Sequence, residues 1–322
     1  MELRRVGRSG LTVSELGLGT ASWGRETSPD EAADVLIAFR DAGGTLVDTA
    51  ASYGNGAAET ALGSLLEDVV PRDELVISAK AGVAFGRDGR RVDASRGALL
   101  RQLDRTLVQL GVDYVDLWQI HTVDPTVATE ETLSALDAAV GAGKARYTGV
   151  SNYPGWRLAQ AATWQQCGAG RAPIVANQVE YSLLERGVER EVVPACEQFG
   201  VGLLPYSPLG GGVLTGKYRT GIPSDSRAAR HGGALGAHGD NRASGIVQAV
   251  ATAADGLAVA PLAVALSWLR DRPTVSSILV GPRTVAQLEG ALASLSVTLP
   301  DAIRVALDDV SAPTLGYPEC PP

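Results

Sequence analysis

Short apolar, β-branched runs alternate along the chain with longer stretches whose apolar residues recur at helical spacing. The runs that predict strands are "SELGLG" from Ser14, "GTLVDTA" from Gly44, "ELVISAK" from Glu74 and "DYVDLWQIH" from Asp113. They continue with "ARYTGVS" from Ala145, "PIVANQV" from Pro173, "GLLPYSPL" from Gly202 and "SILVG" from Ser277, eight in all. Helical stretches lie between them. "SPDEAADVLIAFRDAG" opens on a serine cap with Pro29 in the first turn and closes on glycine, and "ASRGALLRQLDRTLVQLG" also runs from a serine cap to a closing glycine.

Strands that alternate singly with helices pair in parallel through crossover connections. Eight such units within 322 residues predict a closed (β/α)8 TIM barrel, one domain over residues 1–322. The alternative is an open Rossmann-type sheet, against which stands the lack of a G-x-G-x-x-G after the first strand. Residues 2–13, "ELRRVGRSGLTV", read as an N-terminal β-hairpin around Ser9-Gly10 that plugs the barrel's bottom. Residues 221–242, a glycine- and arginine-rich loop after strand seven, read as a lid on the active face.

Composition narrows the function classes. A net charge of −8 offers no basic footprint for nucleic acid or for an anionic membrane. Three cysteines, far apart and in no metal-ligand spacing, fit a reducing compartment. The start "MELRRVGRSGLTVSELGLG" has no continuous apolar core, and the longest apolar run, "LAVAPLAVALSWL", carries a proline and falls short of a bilayer span. A cytoplasmic protein is expected. His231 and His238, in the glycine-rich loop, lack partners for a metal, so no metal site is expected.

Catalytic groups of such barrels sit at the carboxyl ends of strands. Strands two to eight end on Asp48, Lys80, His121, Ser151 with Asn152, Gln178, Tyr206 with Ser207, and Gly281 with Arg283. Lys80 stands out because only three of 28 basic residues are lysine. A desolvated ammonium can do what arginine's permanent charge cannot. Near a phenol it stabilises the phenolate, and it needs a counter-ion to stay charged. Asp48 is therefore expected to pair with Lys80. Tyr53 is expected as the proton donor, its pKa tuned down from about 10, and His121 as the group that polarises a substrate oxygen.

These residues stand in the segments "VDTAASYGNGAAE", "ISAK", "VDLWQIH", "TGVSN", "ANQVEYSLLER", "LPYSPLGGGVLTGKY" and "ILVGPRTVAQL". In that order and spacing the chain resembles the aldo-keto reductases over nearly its whole length, in a branch that also resembles the β subunits of potassium channels. The resemblance implies an NADPH/NADP+-dependent reductase of aldehydes, ketones or keto-sugars, without metal, with Asp48, Tyr53, Lys80 and His121 as the catalytic four. It puts Ser151, Asn152 and Gln178 on the nicotinamide carboxamide and Tyr206 against its ring. Ser207, Leu209, Gly211 and Lys217 fall around the pyrophosphate, with Gly281, Arg283 and Gln287 towards the adenosine end, where Arg283 would pair with a 2′-phosphate. Ala291 and Ala58 depart from the branch, which often has asparagine and serine there.

Trp23, Phe85 and Trp118 follow or end strands and are candidates for a substrate pocket. Two other classes stay open: a Schiff-base aldolase using Lys80, and a non-catalytic NADPH-binding regulatory subunit. A small-molecule carbonyl substrate is the expected partner, and the choice between monomer and homo-oligomer is open.

Overall fold

The computed structural model describes residues 1–66, 68–87, 89–219, 221–224, 226–230 and 240–313. Its strands are β1 (Leu3–Arg5), β2 (Thr12–Ser14), β3 (Leu16–Gly19), β4 (Leu46–Asp48), β5 (Val76–Ala81) and β6 (Val83–Gly86). They continue with β7 (Gly89–Val92), β8 (Val115–Ile120), β9 (Ala145–Ser151), β10 (Ile174–Glu180), β11 (Gly202–Tyr206) and β12 (Ile278–Val280). All eight expected strands form, and they pair in parallel in the order β11-β10-β9-β8-β5-β4-β3-β12. The ring is completed at its bottom, where the Leu203 N–H donates to Thr274 O (2.8 Å) and the Ser276 N–H to Leu203 O (2.9 Å). This is the (β/α)8 barrel, with helices between consecutive strands.

Local chemistry explains where helices begin. Helix Pro29–Asp41 carries a full capping box, the Ser28 hydroxyl accepting from the Glu31 N–H while the Glu31 carboxylate accepts from the Ser28 N–H. Helix Arg96–Leu110 departs from expectation: Ser95 occupies the cap position without a side-chain cap bond, because its hydroxyl donates to Asp93 Oδ1 at 2.6 Å. The proline in the long apolar run starts a new helix, Pro261–Arg270, after helix Asn241–Leu257. Among the described residues no single helix is long and apolar enough to cross a membrane.

The expected N-terminal hairpin is β1 paired antiparallel with β2, Arg4 opposite Val13. It plugs the barrel, since Val6, Leu11 and Val13 pack in one cluster with Leu46, Leu117, Ala176, Leu204 and Leu279 from the inner face of the strands. Strand alternation then carries the interior from apolar to polar going up. Above Leu46 comes Asp48, above Val76 come Ser78 and Lys80, and above Leu117 come Gln119 and His121. Gly17 leaves room for this layer, as a Cβ there would lie 2.6 Å from Leu279 Cδ2 and 3.0 Å from Leu46 Cδ2.

Two features of the active face were not anticipated in full. A second hairpin, β6 with β7, rises directly after β5 and was not anticipated at all. The glycine-rich loop holds a short helix, Arg227–Arg230. His231, His238 and the rest of residues 231–239 of that expected lid lie outside the described residues, as does residue 225.

Candidate active site

At the top of the barrel Lys80 is fully buried and donates to Asp48 Oδ2 at 2.5 Å and to Thr49 O at 3.0 Å. The second carboxylate oxygen of Asp48 accepts from Ser78 Oγ (2.9 Å) and from Gln178 Nε2 (2.8 Å). Gln119 Nε2, on the neighbouring strand β8, donates to Ser78 Oγ at 2.9 Å, and its own Oε1 is buried without a partner among the described residues. Four strands, β4, β5, β8 and β10, thus lock one ion pair. The expected pairing of Asp48 with Lys80 is present.

Tyr53 reaches this pair from a tight turn. Gly54, Asn55 and Gly56 all have left-handed backbone, with φ of 59°, 55° and 94°, between Tyr53 and helix Ala57–Gly63. The turn hangs the phenol over Lys80, whose Nζ lies 5.0 Å from the ring centroid. His121 stands edge-on to the same ring, centroids 6.1 Å apart and planes at 84°. The four groups expected to act together are together.

Their protonation differs in one respect from expectation. Burial pushes the Tyr53 phenol above its usual 10, and although the Lys80 charge pulls it down, the Asp48 charge pushes it up again. The lysine does not lower the net pKa, because burial outweighs its charge and its own counter-ion opposes it. For Lys80, burial disfavours the charge, but Asp48 and Tyr53 outweigh it and its pKa lies above 10.5. His121 is driven down to about 3 by burial first, then by the charges of Lys80 and Arg90. Its imidazole is neutral, and its Nδ1 lies 3.4 Å from Ser52 Oγ.

The residues expected around a cofactor ring this centre. Asn152, exposed and left-handed at φ 58°, donates to His121 O (3.0 Å) and to Ser151 Oγ (3.1 Å), while the Tyr206 hydroxyl donates to Asn152 Oδ1 (2.9 Å). Gln178 is buried, with one amide N–H committed to Asp48. Ser207 is left-handed too, and Gly210, Gly211 and Gly212 follow with φ of 54°, 66° and 95° after half-buried Leu209. Lys217 folds back over Gly212, where a Cβ would stand 3.0 Å from Lys217 Nζ. Beyond Gly281, the Arg283 N–H donates to Gln287 Oε1 (2.9 Å) at the start of helix Val285–Ala293, which Thr284 caps.

The three aromatic candidates separate. Trp118 faces outward into the core under the helices, on the opposite side of β8 from Gln119 and His121, and is 0% exposed. It does not line the mouth, because strand alternation puts neighbours on opposite faces. Trp23 is likewise 0% exposed within that core, so neither tryptophan offers surface to a ligand. Phe85, on β6, is half exposed above the barrel. Residues that strand ends alone did not reveal are Ser52, Ser78 and Gln119. The last two were readable as the residues two before Lys80 and His121.

Fold and centre together define a barrel protein with an acid–base cluster at the carboxyl ends of its strands. The chain belongs to the aldo/keto reductase family, a family of oxidoreductases, whose model matches residues 15–311. It is 34% identical over 316 residues to an L-glyceraldehyde 3-phosphate reductase of Escherichia coli (strain K12), covering 92% of this chain and 88% of that protein. It is 33% identical over 329 residues to a probable voltage-gated potassium channel subunit beta of Oryza sativa subsp. japonica, covering 99% and 98%. An uncharacterized oxidoreductase of Bacillus subtilis (strain 168) is 31% identical over 321 residues, covering 96% of each.

Proposed function

We propose that this protein is a cytoplasmic NADPH-dependent reductase that converts an aldehyde or ketone to an alcohol. The observation that carries the reading is the buried Asp48–Lys80 pair beneath the Tyr53 phenol, with neutral His121 beside it. The donor set fits a dinucleotide: Ser151, Asn152 and Gln178 offer hydroxyl and amide groups that match a carboxamide, and Tyr206 offers a flat ring. Three successive left-handed glycines let backbone approach a pyrophosphate closely, and Lys217 and Arg283 supply positive charge for phosphates. When bound, NADPH supplies the hydride for the carbonyl carbon.

The chain's own groups handle the proton. Tyr53, with its pKa held above the usual phenol value, is fully protonated at neutral pH and donates its proton to the carbonyl oxygen. The Lys80 ammonium then stabilises the phenolate left behind, and Asp48 keeps that ammonium charged. His121 cannot act as an imidazolium at neutral pH. Nδ1 faces the Ser52 hydroxyl at 3.4 Å, so in the tautomer where Nδ1 accepts from that hydroxyl the proton is on Nε2, free to donate to the same substrate oxygen.

The aldolase reading loses its chemical basis, since a Schiff base needs a neutral amine and Lys80 is held as an ammonium. A cofactor-binding regulatory subunit is favoured by one observation, the likeness to the rice channel subunit. One experiment separates the readings. Tyr53→Phe should lower NADPH-driven reduction of a broad aldehyde panel by about 100-fold or more, while NADPH binding, read by tryptophan fluorescence, stays near the wild-type value. A Phe variant that turns over normally would overturn the assignment of the acid. A wild type that binds NADPH and reduces nothing would favour the regulatory subunit.

A further inference from the structure

The hairpin β6–β7 rises from the active face three residues after Lys80, turning on Gly82 with φ of 102°. Its register pairs Val83 with Val92, Ala84 with Arg91, and Phe85 with Arg90. Residues on one face of a two-stranded ribbon alternate, so Val83, Phe85, Arg90 and Val92 share a face, and Ala84 and Arg91 share the other. Val83 is 3% exposed and Val92 is half-buried, so the first face is the one turned to the body of the protein.

The two arginines are used differently. Arg91, on the outer face, lies 3.7 Å from the Asp93 carboxylate. Arg90 pairs with no carboxylate among the described residues, although the chain as a whole is acidic. It is exposed beside half-exposed Phe85, and its charge is felt at His121. A guanidinium without a carboxylate partner among the described residues, on the inward face of a ribbon, next to an aromatic ring and within electrostatic range of the His121 imidazole, is the arrangement that recognises an anionic group.

We propose that Phe85 and Arg90 form a specificity site for the tail of the substrate, and that the preferred substrate is a small aldehyde or ketone bearing a carboxylate or phosphate. This rests on the reductase reading above. The carbonyl oxygen sits between Tyr53 and His121, the body of the substrate lies along Phe85, and its anionic group meets Arg90. Positive charge near the mouth also draws such a substrate in from solution.

The test compares kcat/KM for matched pairs: 4-carboxybenzaldehyde against 4-nitrobenzaldehyde, and glyceraldehyde 3-phosphate against glyceraldehyde, with NADPH in excess. Wild type should favour the charged member of at least one pair, and the pair that shows it tells carboxylate from phosphate. Arg90→Gln should lower that charged-to-neutral ratio by roughly 10-fold, the worth of a charge-assisted hydrogen bond. Arg91→Gln, on the outer face, should leave the ratio as it is. An unchanged ratio in Arg90→Gln, or an equal fall in Arg91→Gln, overturns the inference while the neutral aldehydes still report the reductase. No turnover of any of the four by wild type overturns the reductase reading and this inference with it.

Discussion

Asp48→Asn isolates the energetics of the buried pair. The substitution keeps the size of the side chain while removing the charge that faces Lys80 at 2.5 Å, in a site where the two side chains are 0% and 3% exposed. Removing one partner of a buried pair strands the other, at a cost of about 3–5 kcal/mol. Unfolding entropy of about 2.1 cal/mol/K per residue over 322 residues makes this roughly 4–7 °C in Tm. Lys80→Met on top of Asp48→Asn removes the stranded charge, so the double variant should regain most of the loss while being inactive.

The pH dependence carries the sign. In wild type the Lys80 pKa lies above its ordinary 10.5, so the pair's contribution is fully present below that pH and is lost as pH climbs through the higher folded value. In Asp48→Asn burial acts on Lys80 without its carboxylate, which drops the folded pKa below the unfolded one. The folded state then holds fewer protons, and the variant's deficit should shrink as pH rises towards 10. Calorimetry of wild type, Asp48→Asn and the double variant at pH 7 and 9.5 measures all of this. A single variant that melts within about 1 °C of wild type, or a deficit that grows with pH, would refute the reasoning.

Because the Tyr53 pKa is raised, carbonyl reduction should be level across pH 6–9, and alcohol oxidation, which needs the phenolate, should climb past pH 10; an oxidation optimum near 7 in initial-rate profiles would contradict this. Glu59 is 0% exposed, accepts from Thr106 Oγ1 at 2.8 Å, and is pushed up to about 7, mainly by burial. Its raised pKa favours folding most below the unfolded value of 4.5, and up to about 3 kcal/mol is lost as pH rises through 7, since each unit is about 1.4 kcal/mol. Glu59→Gln should therefore match wild type in urea unfolding at pH 5 and exceed it at pH 8, whereas equal stability at both pH values would show that Glu59 is ionised. Gly17→Ala should cost about 1–3 kcal/mol by overpacking the bottom layer against Leu279 and Leu46, seen as a lowered urea midpoint; a neutral result would mean those leucines move aside.

The barrel was legible because its signals are local and repeated. Nearly every strand run ends on or just before a polar residue, and Ser28, Pro29 and Glu31 write one helix start in full. The cluster of Asp48, Tyr53, Lys80 and His121 was legible because Lys80 is a rare residue type at a strand end and Asp48 and Tyr53 sit on one short stretch. What was misread depends on the sum of opposing fields or on side-chain parity. Residue types alone give Tyr53 a lysine neighbour and a lowered pKa, but burial and the Asp48 charge decide the direction. Trp118 looked like a pocket residue until alternation from His121 put it on the helix side. The hairpin β6–β7 escaped notice because the few apolar residues of "VAFGRDGRRV" are split by a central run of glycines and charges, which leaves no continuous alternation to read.

The position of Gln178 ties the two halves of the site together. Asp48 receives three donors, from Ser78 and Gln178 at one oxygen and Lys80 at the other, so its carboxylate is fixed by the neighbouring strand β5 and by β10 from across the barrel. An amide nitrogen has two hydrogens, and only one of them is spent on Asp48. Whatever group the remaining N–H or the carbonyl oxygen holds is therefore coupled through one rigid carboxylate to the ammonium under Tyr53. The same logic runs through Asn152, whose amide spans the His121 carbonyl and the Tyr206 hydroxyl. Groups that would grip a cofactor and groups that would move a proton are consecutive links of one hydrogen-bonded chain. The site's geometry is set before any ligand arrives, as electrostatic preorganisation requires.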